Sequence, residues 1–203
     1  MSDATLLRSG GIAGIVFILL AFGAVTFASG SRTGEFMLQL SSLPALWFTI
    51  AVWVYLRQRE GGAGGLAMLF LVGSLVSDAV FVIVSANNAM LAARHASPAT
   101  IAYLNDADTF IAIASYFPLA AGLVGAGLSI LASRAMPVWI GALALLAALG
   151  QLAITLPVIA NSSLFSDSGP IFALAQLVYV VWLFSVAIAM LLKSTGPLTS
   201  APK

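Results

Sequence analysis

The chain has 203 residues, of which 61% are hydrophobic and 7% charged, with a net charge of +1 and no cysteine. Soluble domains carry about 25% charged residues, and disordered chains combine low hydrophobicity with high charge, so a mean hydropathy of +1.08 excludes both. A disulfide scaffold and a cysteine-ligated metal need cysteines, and nucleic-acid binding needs a basic field; the composition supplies neither.

What remains is a polytopic membrane protein. A helix crosses the hydrocarbon core with about 20 mainly apolar residues. Six stretches qualify: Gly10–Ala28, Phe36–Leu56, Gly65–Ala86, Thr109–Leu131, Val138–Ala160 and Ile171–Leu192. Their continuous apolar character favours helices over barrel strands, which alternate over about 10 residues. The expected fold is all-α, a six-helix transmembrane bundle over residues 1–193, followed by a short disordered cytoplasmic tail at 194–203.

The first span has a rival reading. Arg8, an apolar run and Thr26-Phe27-Ala28 have the outline of a cleavable signal peptide, although the run is long for one. Between the third and fourth spans, Asn87–Asp108 reads as the one long loop. Within it, Ser97-Pro98 has the form of a helix N-cap followed by proline at the first helical position. Either the fourth span starts early or a short interfacial helix precedes it.

Six spans put both termini on one side of the membrane. That side carries Arg8, Arg57, Arg59, Arg134, Lys193 and Lys203, against Arg32 and Arg94 on the other. The bias toward basic cytoplasmic loops therefore places both termini in the cytoplasm and the protein in a bacterial inner membrane. Glu35, Asp106, Asp108 and Asp167 fall in outer segments.

Lipid gives helices no hydrophobic reason to associate, so small residues that let backbones approach mark the packing faces. Gly10 and Gly14 form such a face in span one, as do Ala121, Gly122, Gly125 and Ala126 in span four. In span five, Gly141, Ala144, Ala148, Gln151 and Thr155 line up. These faces serve packing within the bundle or a homo-oligomer. Trp47, Trp53, Tyr55, Trp139 and Trp182 include some near helix ends, where amphipathic rings suit the interface.

Asp78 is the one formal charge inside a span. An acid there costs about 2.5–3.5 kcal/mol on insertion scales and must face the bundle interior or a wet cavity. Ser74, Asp78, Ser85 and Asn88 share its helix face. At about 1.5 Å per residue, Asp78 and Gln151 sit about 20 Å from the cytoplasmic end, and Tyr116, Gln176 and Tyr179 fall at roughly 18–24 Å. Thr26 and Ser115 lie close to the same level. The candidate ligand- or ion-binding set is therefore Asp78, Ser74, Tyr116, Gln151, Gln176 and Tyr179.

Two functions follow from this layer. In one, Asp78 is a protonated or hydrogen-bonded acid that ties helices three, five and six together in a non-enzymatic structural, accessory or interaction protein. In the other, the layer serves a small transporter or ligand-binding protein, with Pro44, Pro118 and Pro157 interrupting helices nearby, as broken helices do in transporters. Catalytic sets are missing: His95 is the single histidine, and there is no zinc helix, phosphate loop or nucleophile elbow. No cofactor, metal or nucleic-acid partner is expected; the lipid bilayer and a membrane protein partner are.

The segment Ser133-Arg134-Ala135-Met136-Pro137-Val138-Trp139-Ile140-Gly141 resembles the fifth helix of an uncharacterised bacterial family of six-span integral membrane proteins, a domain of unknown function. Arg8-Ser9-Gly10-Gly11-Ile12-Ala13-Gly14 is similar to its first helix. The likeness covers the first turns of two helices and the span count, and this chain has Asp78 in the third span where that family carries an arginine. The resemblance implies fold and membrane location, and no activity.

Overall fold

The computed structural model describes residues 2–27, 31–93, 97–156 and 169–195. They form α1 (Asp3–Phe27), α2 (Arg32–Glu60), α3 (Gly65–Ala93), α4 (Pro98–Ser133), α5 (Val138–Thr155) and α6 (Pro170–Thr195). All six are long and apolar enough to cross a membrane, as the sequence predicts. Large apolar side chains such as Leu19, Phe22, Leu43, Phe110, Leu149 and Leu174 stand exposed on the outside. In water these would be a penalty; against lipid tails they are not.

The helices outrun the predicted spans. Asn87–Asp108 is not a loop but mostly the end of α3 and the start of α4. Hydropathy stops where the chain turns polar, but helix formation continues. Ser97 caps α4, accepting from the Thr100 N–H at 3.2 Å, and Pro98 takes the first turn. Asn87 on α3 donates to the Asp108 Oδ1 on α4 at 2.8 Å, fastening the two extensions together. Glu35, Asp106 and Asp108 accordingly lie in helices rather than loops, and Glu35 and Asp108 are buried. The α6 helix runs to Thr195, so Ser194 and Thr195 belong to it rather than to the tail. Ala28, Arg94, His95, residues 157–168 with Pro157 and Asp167, and residues 196–203 lie outside the described residues.

Each helix packs on its neighbours in sequence, and α6 returns to α1, closing a ring; α2 also touches α4 across it. The start of α1 and the end of α6 therefore meet at one end of the bundle. Arg8, Arg57, Arg59, Arg134 and Lys193 belong to that basic end. There Arg59 and Lys193 sit 5.5 and 5.7 Å from the Tyr55 ring, and the Tyr55 hydroxyl donates to the Ala135 carbonyl at 2.7 Å. The turn into α3 needs Gly61 and Gly64 at positive φ, and Glu60 Oε1 accepts from the Ala67 N–H at 2.7 Å to cap the new helix.

The small-residue faces are the seams of this ring. A Cβ on Gly10 would lie 2.5 Å from Ala51 Cβ and 2.7 Å from Met190 Cε, so α1 is wedged between α2 and α6. Gly125 abuts the Leu66 carbonyl, Gly127 abuts the Gly141 carbonyl, and Gly150 abuts Ala175. The predicted face of α5 is buried along its whole length. The aromatic residues near the spans divide. Trp182 is not interfacial; it is 1% exposed and among the largest core side chains. Its helix presents that face inward between Tyr179 and Leu183, whereas Trp139 is exposed as expected.

Gly73 is the tightest point. A Cβ there would overlap the Pro118 carbonyl oxygen and lie 2.7 Å from the Gly122 nitrogen, both backbone atoms that cannot swing aside. Gly73→Ala is expected to destabilise the bundle by about 1–3 kcal/mol. Gly65→Ala, with open space around it, should leave stability nearly unchanged; thermal unfolding in detergent compares the two.

Candidate functional site

Along α3, Phe70, Ser74 and Asp78 follow at intervals of four residues, so one helix face carries all three. That face turns to the middle of the ring. A small cavity lies there, lined by Phe17 from α1, Ala45, Phe48 and Thr49 from α2, and the three α3 residues. Leu119 from α4 and Tyr179, Trp182 and Leu183 from α6 complete it. Five of the six helices contribute, and α5 does not. The space is that of about one water molecule.

The walls are mainly aromatic. Phe70 meets Trp182 edge to face at 6.1 Å between ring centres, and Tyr179 stacks on Trp182 at 6.2 Å with 17° between planes. Asp78 and Tyr179 are near enough to interact electrostatically. Among the described residues, no hydrogen bond reaches the Asp78 carboxyl, and the cavity lining holds no basic side chain. The Trp182 indole N–H is also buried without an acceptor. Pro44 and Pro118 stand inside their helices immediately before the lining residues Ala45 and Leu119, and neither helix breaks there.

Of the predicted set, the structure brings together Asp78, Ser74 and Tyr179. Tyr116 and Gln176 are half-buried on α4 and α6 and do not line the cavity. Gln151 is fully buried on α5, with both amide atoms lacking a partner. The shared level of these groups is a matter of height alone; rotation about each helix axis decides which of them meet. Ser115 illustrates this, donating to the Ala112 carbonyl of its own helix. Among the described residues, no hydrogen bond joins Asp78 to α5 or α6; its link to α6 is the shared cavity and the nearby Tyr179.

Thr49, Trp182 and the phenylalanines were not predicted as site residues. A signal existed for two of them. Phe70 lies two turns before Asp78 on its face, and Trp182 follows Tyr179 by three residues. Phe17, Phe48 and Thr49 have no comparable link to Asp78 in sequence.

A second polar cluster lies toward the end of the bundle opposite Arg57, Arg59 and Arg134. Ser85 donates to Glu35 Oε2 at 3.1 Å, and Asn87 holds Asp108 Oδ1, while Asp108 Oδ2 is buried without a partner. Here α3 is the donor and its two neighbours the acceptors. Among the described residues, no group of three or more metal-ligating side chains occurs. No family model, curated protein or solved structure matches the chain.

The two clusters should respond oppositely to substitution. Asp78→Leu removes a desolvated acid without breaking a hydrogen bond, so it should unfold at or above the parent's temperature, with a gain of up to about 3 kcal/mol. Asn87→Leu strands the Asp108 carboxylate and should cost about 1–3 kcal/mol. Melting curves of both variants in one detergent test the contrast.

Proposed function

We propose that the chain is a small transporter or ion-binding protein of a bacterial cytoplasmic membrane, with both termini cytoplasmic, and that it takes a proton or small cation at Asp78. The observation that carries this reading is the Asp78 carboxyl, which lines a water-sized space at the centre of the ring with no hydrogen bond from the described residues and no basic side chain in the lining. Such an acid costs folding energy, and a positively charged occupant offsets that cost. The aromatic walls suit the same occupant, because ring faces attract cations, and Ser74, Thr49 and Tyr179 offer oxygen atoms beside it. Six basic residues against two across the alternating helix ends support the orientation. The accessory reading, with Asp78 as bundle glue, has less support because no described residue hydrogen-bonds the carboxyl.

Purified protein titrated with sodium, potassium and tetramethylammonium, at several pH values, tests the proposal. The expected result is a saturable rise in melting temperature, equivalent to about 2.7 kcal/mol at a hundredfold excess over the dissociation constant. It should be present in the parent and lost in Asp78→Asn. If protons are the occupant, vesicles should show pH-gradient dissipation that Asp78→Asn abolishes. No response in either assay, or a response that survives Asp78→Asn, sinks the reading.

A further inference from the structure

On the outer surface, α5 and α6 approach closely at Gly150 and Ala175, and a groove of about 330 Å³ opens between their other ends, at the basic end of the bundle. Its lining is apolar apart from Lys193 and Ser185, and the Ser185 hydroxyl donates to the Val181 carbonyl of its own helix. We propose that this groove binds one anionic phospholipid, with an acyl chain along α6 and the phosphate at Lys193.

Three observations fit that occupant. The groove follows one stripe of α6 from Phe184 to Lys193, nine residues or about 14 Å of helix. Half the hydrocarbon thickness is about 15 Å, so the groove is one leaflet deep. Its charge stands at the end where the headgroup lies. Lys193 is held there over the Tyr55 ring, itself anchored to the Ala135 carbonyl, and exposed Arg134 precedes the lining residue Pro137 by three positions. Trp139, 57% exposed on the opposite wall, has the amphipathic ring that settles at headgroup level. An apolar channel of leaflet depth with a cation at its mouth complements an acyl chain and an acidic headgroup together.

The proposal is independent of Asp78, because Lys193 and Ser185 do not line the central cavity. Native mass spectrometry of the full chain, given equimolar phosphatidylglycerol and phosphatidylcholine with the same acyl chains, reads it directly. One phosphatidylglycerol should be retained in about fivefold preference. Lys193→Gln should erase the preference, and Ser185→Phe, which fills the groove from an external position, should reduce retention of both lipids. Arg32→Gln, the same charge change at the opposite end, should leave the preference intact. Equal retention of both lipids by the parent would overturn the proposal, as would a preference indifferent to Lys193→Gln and Ser185→Phe. A lipid-independent dimer broken by Ser185→Phe would assign the groove to a second copy instead, and overturn it equally.

Discussion

Everything in this bundle depends on how closely its backbones approach one another. Lipid tails are as apolar as leucine, so burying apolar surface between helices yields little, and cohesion comes from van der Waals contact at short range. The chain meets that constraint with glycines and alanines at the seams. Gly73 and Gly122 face each other across α3 and α4, Gly127 and Gly141 across α4 and α5, and Gly10, Gly11 and Gly14 seat α1 against its two neighbours. A ring closed in this way leaves its axis underfilled, because six helices in a circle surround a centre that no helix occupies. Aromatic side chains from α1, α2, α3 and α6 fill most of that centre, and the remainder is the space beside Asp78.

The buried acids Glu35 and Asp108 and the half-buried Asp78 follow different logic. Glu35 and Asp108 receive donors from Ser85 and Asn87 and thereby fasten α3 to the helices on either side. Asp78, in the middle of the same helix, receives none from the described residues. One helix thus carries polar groups that build the structure near its end and a polar group that burdens the structure at its centre. An acid retained against its own folding cost is the pattern expected where function rather than stability selects the residue.

Much of this was legible before any coordinates. Six apolar runs give six helices, and the faces built on Gly10, Gly122, Gly125 and Gly141 are the packed ones, since small residues have one main use between membrane helices. Helix ends were less legible. Hydropathy reports where hydrocarbon stops, while Ser97, Pro98 and the Asn87–Asp108 bond decide where the helices stop. The site was half legible. Asp78, Ser74 and Tyr179 meet, but Gln151, Tyr116 and Gln176 share only their height, and a helix's rotation in its neighbours' frame depends on long-range packing that spacing along one chain does not encode. Trp182 shows the same limit, since its chemistry suits an interface equally well.

The length of α4 has a consequence for the outline of the protein. Its 36 residues span about 54 Å, against about 30 Å of hydrocarbon. Membrane helices tilt by at most about 40°, and even then α4 would rise about 41 Å along the bilayer normal. The excess falls at its first turns, because at its other end α5 begins within a few residues and exposed Trp139 marks the interface. Those turns pack beside the last turns of α3, joined by the Asn87–Asp108 bond, and carry Tyr103 and Asp106 on exposed positions, so a helix long enough to outrun the hydrocarbon offers an aromatic and an acid to the water layer beyond it.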